Sequence, residues 1–232
     1  MPLNISGTTI SGTTFQTFRY NNVVKRGLIL HLDAGKIDSY PTSGTSWYNL
    51  TDYNYTGILT NGPTYSSTNG GCIVFDGSND YVELNTTSII SGSQSFTIEV
   101  FYTITGSGGG ALFGNYGAAT QSNTIWFSGQ YGIYINSSCY AASNPITSGT
   151  HHMVATRDSS GVVKLYLDGS LSNTVTLNAS IATPVSYRIG TDAGGTQEPF
   201  AGNLYNIRVY DRDLTYSEVQ QNYNTQRNRF GI

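Results

Sequence analysis

Hydrophobic and polar residues alternate in a series of short runs from Gly27 onward, and Gly, Asn, Asp and Ser separate the runs. Alternation with a period of two is typical of a β-strand that buries one face. Many short strands between turn residues indicate a sandwich or a barrel. We therefore predict an all-β fold, with its clearest strands over residues 27–33, 72–76, 81–84, 95–104, 152–158, 162–169 and 203–211.

The run 95–104 shows which face of a strand is buried. Its even-numbered residues are apolar and predict a core face, namely Phe96, Ile98, Val100 and Tyr102. Its odd-numbered residues predict a mixed face. Residues 158–161, with the sequence DSSG, predict a hairpin between the strands on either side, and Asp168 and Gly169 predict the start of the next turn.

A helical signal lies near the C-terminus. Thr215 precedes Glu218 by three residues, which is the spacing of a capping box at a helix start. We expect the helix to end near Gln226. The side facing the sandwich should carry Leu214, Val219 and Tyr223. The basic ending RNRFGI, residues 227–232, is interpreted as a helix C-terminus with favourable dipole interactions in preference to a binding patch.

The first 26 residues differ from the rest, because ISGTT occurs there twice in tandem and aromatic residues follow. We predict an N-terminal arm over residues 1–26 and one domain over residues 27–232. The arm would dock on a partner chain through Ile5, Ile10, Phe15, Phe18 and Tyr20. A flexible leader or an extra edge strand of the same domain are the alternatives.

Charge excludes one class of partner. The chain has 11 basic and 14 acidic side chains and a net charge of −3. Its overall charge therefore does not attract a phosphate backbone, and we expect no nucleic acid partner. We also expect no secretion signal and no membrane insertion, since no segment approaches the ~20 apolar residues of a span. The two cysteines, Cys72 and Cys139, are expected to be buried free thiols.

Several ordered motifs carry a family resemblance. These are GLILHLDAG at 27–35, Trp47 followed by YNL at 48–50, FDGSNDYVEL at 75–84, SFTIEVFY at 95–102, HHMVATRD at 151–158, VVKLYLDG at 162–169, YRIG at 187–190 and the run from Phe200 to Val219. Together they resemble the laminin-G-like, concanavalin A-like superfamily. The resemblance covers about residues 27–224 and implies a jelly-roll sandwich of two antiparallel sheets, followed by a short C-terminal helix.

A narrower resemblance rests on four features, which are LDAG at 32–35, the loop NGPTYSSTNGG at 61–71, the strand GNLYNIRVYDRDLT at 202–215 with the helix EVQQNYN at 218–224, and the ending RFGI at 229–232. These features look like the versions found in virion proteins of tailed bacteriophages. The resemblance implies a virion location, after synthesis in the host cytoplasm.

The carboxylates argue against catalysis. The superfamily's glycosidases place two or three acids on alternate residues of one strand, whereas Glu83 and Glu99 each stand alone. We therefore predict no enzyme and no catalytic residues, and interpret Glu99 as a solvated or hydrogen-bonded sheet residue. His151 and His152 are adjacent and would point to opposite faces of a strand, so they cannot share a metal ion.

Calcium is the one cofactor that the resemblance suggests. Loop carboxylates bind it in many members, and DGSND at 76–80 supplies Asp76 and Asp80. The alternative is a hydrogen-bonded turn at Asp76 that Asp80 closes. No other cofactor or metal is predicted.

Aromatic side chains among amides and hydroxyls are the residue types that bind sugars. The candidates for glycan contact are Trp126, Tyr131, Tyr134, Tyr53 and Tyr55. A tyrosine-rich, charge-poor surface also suits contact with neighbouring proteins, and this alternative is favoured.

The sequence thus predicts a non-enzymatic structural component of a tailed-phage virion. Capsid decoration, head fibre and tail attachment protein all fit. The partners would be capsid or tail proteins, further copies of the chain in a homo-oligomer, and a host-surface glycan at outward-facing loops. The alternative function is a free carbohydrate-binding lectin module, calcium-assisted or not.

Overall fold

The computed structural model describes residues 22–117, 122–128, 132–135, 138–140, 148–181, 184–192 and 198–232. These residues form sixteen strands, one 3₁₀ turn at Thr68–Gly70 and one α-helix. The strands are β1 (Leu28–Asp33), β2 (Ser46–Tyr48), β3 (Thr56–Thr60), β4 (Thr64–Ser66), β5 (Cys72–Asp76), β6 (Tyr81–Leu84), β7 (Phe96–Gly109), β8 (Ala111–Gly117), β9 (Ser122–Ser128), β10 (Gly132–Ile135), β11 (Ser138–Tyr140), β12 (Gly149–Arg157), β13 (Val162–Leu167), β14 (Ser170–Thr176), β15 (Pro184–Ile189) and β16 (Phe200–Tyr210). The helix is α1 (Tyr216–Phe230).

The strands form two antiparallel sheets of eight strands each. Sheet A has the order β14-β13-β12-β7-β16-β5-β4, and β1 pairs with the second half of β16. Sheet B has the order β11-β10-β9-β8-β15-β6-β3-β2. The predicted jelly-roll sandwich is confirmed, and so is the hairpin at 158–161, which joins β12 to β13.

The main core lies between the two sheets. Phe96, Ile98, Val100 and Tyr102 of β7 point into it as predicted, and Trp47 on β2 is fully buried there. Sheet B contributes large side chains from its inner face, including Phe113, Phe127 and Tyr187. Cys72 is a buried free thiol, as predicted. The described part of the chain contains no helix with the length and apolar character that crossing a bilayer requires.

The outer face of sheet A is also buried, because α1 lies across it. Thr97, Glu99 and Phe101, on the face of β7 that was expected to be mixed, are completely shielded from solvent. The capping box predicted at the helix start is present. The Thr215 hydroxyl accepts the backbone N–H of Glu218, and the Glu218 side chain accepts the backbone N–H of Thr215. Sheet A is therefore covered on both faces.

The helix ends later than predicted, at Phe230 instead of Gln226. Phe230 stacks on Phe101 with ring centres 4.8 Å apart, and Arg229 donates to the Asp33 carboxylate at 2.8 Å. Gly231 then closes the helix in the left-handed conformation, with a φ of 69°. Tertiary contacts of the basic ending thus extend the helix by one turn.

The first described residues lie along α1 and the end of β16. The Val24 N–H donates to the Asn222 side-chain oxygen at 2.8 Å, and the Tyr210 hydroxyl donates to the Val24 carbonyl at 3.3 Å. The Gln221 amide donates to the Asn22 carbonyl at 2.9 Å. Residues 1–21, which hold the candidate docking side chains, lie outside the described residues.

A buried carboxylate joins α1 to sheet A. Glu99 accepts hydrogen bonds from His152 Nε2 at 2.8 Å and from Arg208 Nη1 at 3.1 Å on one oxygen. Asn222 Nδ2 donates to the other oxygen at 2.7 Å. All four side chains are fully buried. Of the two interpretations of Glu99, the hydrogen-bonded sheet residue is confirmed and the solvated residue is wrong.

Protonation of this carboxylate is disfavoured. Burial by itself would raise the pKa of Glu99. The charge of Arg208 and the hydrogen bonds from His152 and Asn222 outweigh burial, so the pKa of Glu99 lies below its ordinary value. The network accordingly holds a carboxylate and a guanidinium in a place that water does not reach.

We expect Glu99→Ala to lower the free energy of unfolding by about 3–5 kcal/mol, because it leaves the Arg208 charge buried and unpaired. Glu83→Ala is the matched control, since Glu83 pairs with Arg188 on the surface and should cost under about 1 kcal/mol. Urea unfolding of both variants measures the difference. Equal losses in the two variants would show that Glu99 does not hold the helix.

Candidate functional site

Sheet B offers the broad sheet face that no helix covers in the described part of the chain. Its outward side chains include Tyr48 and Ile58, which are exposed although they are large and apolar. Because α1 and residues 22–26 lie on the opposite side of the sandwich, this outer face is the candidate binding surface.

One line of residues crosses this face from strand to strand. Register pairs each member with the next, and the members are Ile58, Glu83, Arg188, Gly114, Trp126 and Tyr134. We call this line the outer row. Neighbouring strands lie about 4.8 Å apart, so the outer row extends over about 24 Å.

The outer row holds all the charge of sheet B. Its eight strands contain two charged residues, Glu83 on β6 and Arg188 on β15. Both alternate with core residues, since Val82, Leu84, Tyr187 and Ile189 are buried on the inner face. Register therefore sets the two charges side by side on the outer face.

Arg188 has two neighbours on the outer face. Its Nη2 lies 3.4 Å from Glu83 Oε2, and its guanidinium carbon lies 4.3 Å from the centre of the Tyr81 ring. Tyr81 precedes Glu83 by two residues on the same strand, so both belong to the outer face. The cation on the ring and the adjacent carboxylate together orient the guanidinium.

Gly114 interrupts the outer row beside Arg188. It has no side chain, and it stands between Arg188 on one side and Trp126 on the other. These two positions are separated by two strand spacings, or about 10 Å, and Gly114 between them is buried. Tyr134 follows Trp126 and is half-buried. The arrangement places polar groups and aromatic positions on opposite sides of a side-chain-free position.

Of the aromatic residues predicted for glycan contact, the structure aligns two in this row, Trp126 and Tyr134. For Trp126 it describes the backbone register, and Tyr131 lies outside the described residues. Tyr53 and Tyr55 stack on each other, with ring centres 5.4 Å apart, in the loop before β3. In sheet B, β3 is the fifth strand from β10, so Tyr53 and Tyr55 lie too far from Tyr134 to form one site with it.

The two calcium candidates are engaged with their own loop. Asp76 Oδ1 accepts the Ser78 N–H at 2.8 Å, and Asp80 Oδ2 accepts the Asp76 N–H at 3.0 Å. Burial raises the pKa of Asp80. Within the described ranges, no three His, Cys, Asp or Glu side chains converge closely enough to hold a metal ion. Calcium binding at this loop stays a prediction.

A further pair of acids flanks residues 193–197. Burial, and then the nearby charge of Asp192, raise the pKa of Glu198. The side chain of Glu198 is exposed, whereas Asp192 is buried. These two carboxylates lie on the loop that follows β15 and do not belong to the outer row.

The histidines occupy separate environments. His152 stacks on Phe101 beneath α1, whereas His151 forms an ion pair with Asp168 through Nδ1 at 3.0 Å. The two adjacent rings thus do not share a site, as predicted. Burial lowers the pKa of His31 to about 2, with a further contribution from Arg208, so this ring stays neutral.

A family model described as the concanavalin A-like lectin/glucanases superfamily matches residues 76–220. The chain belongs to this superfamily. No protein of curated function matches the sequence significantly. The assignment confirms the broad resemblance derived from the motifs.

Solved structures agree on the fold. A Trypanosoma rangeli sialidase in complex with the inhibitor DANA is similar at a TM-score of 0.63 and 17% identity, over 87% of this chain and 33% of the sialidase chain. Domain 4 of AbnA, a GH43 extracellular arabinanase from Geobacillus stearothermophilus, in complex with arabinotriose, is similar at a TM-score of 0.61 and 18% identity, over 84% of this chain and 98% of that chain.

The binding domain of botulinum neurotoxin serotype D is similar at a TM-score of 0.62 and 13% identity, over 86% of this chain and 52% of that chain. The chain thus spans about a third of the sialidase chain. At these identities the likeness shows the fold alone.

The polar half of the outer row, Glu83 and Arg188, was not predicted as a site from the sequence. Arg188 was part of the motif YRIG, and it alternates with buried Tyr187 and Ile189, so its outward direction was available from periodicity. Its position beside Glu83 and Gly114 was not available, because residues about 70 to 105 positions apart come together only through strand register.

The pair of His151 and Asp168 predicts a pH effect. The hydrogen bond that His151 donates to the Asp168 carboxylate raises the pKa of His151 above 6.5, against the opposing effect of burial. A raised pKa means that this pair stabilises the fold fully below pH 6.5 and that the contribution is lost as the pH rises through the folded value.

We expect the pKa of His151, measured by NMR titration, to fall toward 6.5 in Asp168→Asn. We also expect His151→Gln to lower the free energy of unfolding more at pH 5.5 than at pH 8.5, the two values being chosen on either side of the titration. An equal loss at both values would show that the ion pair does not contribute.

Proposed function

We propose that this chain is a non-enzymatic carbohydrate-binding domain and that the sugar contacts the outer row at Glu83 and Arg188. The observation that supports the proposal most directly is this partly exposed pair, with the Arg188 guanidinium over the Tyr81 ring. Sugar sites combine aromatic faces with a few oriented polar groups, and the outer row offers both.

The superfamily and its structural relatives support this function. The described relatives include one isolated domain in complex with arabinotriose, and the present chain matches 98% of that domain's length. A domain of this architecture and size therefore suffices to bind a sugar. The identity is 18%, so the contacts must come from this chain's own side chains.

The position of the carboxylates supports a domain that performs no hydrolysis. Retaining and inverting glycosidases need two accessible acids on either side of the bond. Glu99 is sealed beneath α1, and Glu83 is paired with Arg188. The proposed site therefore contains one carboxylate, which is engaged in orienting a cation.

We expect Arg188→Ala to weaken glycan binding by about tenfold or more, because it removes charged hydrogen-bond donors from the site. Trp126→Ala should weaken it as well by removing an aromatic face. Lys164→Ala removes an exposed cation from sheet A and should leave the affinity unchanged. A glycan array, followed by calorimetry on the best ligand, measures these effects.

The same assay with a chelator tests calcium. We propose that binding does not require this ion, since one oxygen of Asp80 is bonded within its own loop, as is one of Asp76, and no group of three potential metal ligands converges among the described residues. Unchanged binding in both Arg188→Ala and Trp126→Ala would contradict the proposed site, and release of reducing sugar from a bound glycan would contradict a non-enzymatic role.

For the biological setting we propose a structural component of a tailed-phage virion, such as a capsid decoration, a head fibre or a tail attachment protein. The resemblance of the loop at 61–71 and of the ending RFGI supports this setting. The geometry suits it, because residues 22–24 lie against α1, on the side opposite the outer row. A domain fastened through its N-terminal arm would present the outer row away from the particle.

In this setting the partners of the arm are capsid or tail proteins, and many copies would multiply weak sugar contacts. A free lectin module is the second candidate, and the same outer row would serve it. The two differ in what residues 1–20 do.

We expect deletion of residues 1–20 to abolish incorporation into particles and to leave the glycan affinity of the isolated protein unchanged, because residues 22–24, where the described chain begins, lie against α1 on the side opposite the outer row. Arg188→Ala should show the reverse pattern, with normal incorporation and weak binding. Quantifying the protein in purified particles separates the two roles. Normal incorporation of the truncated chain would exclude docking by the arm.

A further inference from the structure

We propose that the outer row selects an uncharged sugar with two neighbouring hydroxyl groups and that Glu83 is the residue that sets this selectivity. The inference rests on the proposed function, and it concerns the class of ligand. It is carried by the side-by-side placement of Glu83 and Arg188 on an otherwise uncharged sheet face.

Glu83 and Arg188 lie close together without forming a short hydrogen bond. Its nitrogen and oxygen lie 3.4 Å apart, which is longer than the 2.7–2.9 Å or so of a strong charge-assisted hydrogen bond. The Glu83 side chain is 39% exposed and that of Arg188 is 21% exposed, so both retain groups that a ligand can reach. A carboxylate accepts several hydrogen bonds and a guanidinium donates up to five.

Neighbouring hydroxyl groups complement this pair. A hydroxyl can donate one hydrogen bond and accept others. One sugar hydroxyl can therefore donate to Glu83 while the next accepts from Arg188, so that both charged groups gain partners. Trp126 and Tyr134 stand two and three strand spacings from Arg188, about 10 and 14 Å, so these positions would meet a further ring of a longer glycan.

Charge disfavours an acidic sugar at this place. A ligand carboxylate bound to Arg188 would lie beside the Glu83 carboxylate, and like charges at such distances repel. The eight strands of sheet B provide no second cation to offset this repulsion. Glu83 thus lowers the affinity for acidic ligands and raises the affinity for ligands with neighbouring hydroxyl groups.

The experiment compares neutral and acidic sugars on the full chain by calorimetry. The neutral probes are the methyl glycosides of galactose, glucose and mannose, and the acidic probes are glucuronic acid and N-acetylneuraminic acid. We expect the best neutral probe to bind at least about tenfold more tightly than either acidic probe.

Glu83→Gln keeps the size of the side chain and removes its charge. We expect it to weaken the neutral sugar, to strengthen the acidic sugars, and so to reduce the preference by about tenfold. Asp38→Asn is the matched control, because it changes the net charge equally at an exposed residue between β1 and β2. The preference should be unchanged in this control.

The outcomes separate the two proposals. Binding of an acidic sugar in preference to all neutral ones, or a preference that Glu83→Gln leaves unchanged, overturns the inference and keeps the carbohydrate-binding function. No binding of any probe or array glycan overturns both. The thermal unfolding midpoint of Glu83→Gln should match that of the unaltered chain, which confirms that the variant reports on binding.

Discussion

The fold depends on one carboxylate that has been taken out of water. Glu99 at the centre of sheet A receives hydrogen bonds from β12, β16 and α1 through His152, Arg208 and Asn222. A buried charge is tolerated only where its partners are all in place, so the three elements must assemble together. This interaction fixes α1 over sheet A and leaves the outer face of sheet B as the surface that can meet a ligand.

The distribution of charge follows from this division of the two sheets. In sheet A, Glu99 and Arg208 are used internally, and the basic C-terminal residue Arg229 is held by Asp33. In sheet B, Glu83 and Arg188 form an accessible pair on the outer row. Among the described residues, acid and arginine pairs thus hold the structure at Glu99 and at Asp33, and another pair is presented to solvent on sheet B.

Local patterns predicted the parts of the fold that local physics decides. Alternation predicted the core face of β7, the DSSG turn predicted its hairpin, and Thr215 with Glu218 predicted the helix start. The helix end and the burial of Glu99 were missed because contacts with distant residues, such as Phe101 for Phe230, determine them. The same holds for the site, since Trp126 and Tyr134 were recognised by type, whereas Arg188 gains its meaning from register with Glu83 and Gly114.

The hydrogen bond between Val24 and Asn222 has a mechanical consequence. Through it the first described residues are joined to α1 and, by way of Asn222, to Glu99 and Tyr210. The chain then continues directly into β1, which also belongs to sheet A. A force applied ahead of Asn22 would therefore be taken up first by sheet A, since none of these contacts involves a strand of sheet B.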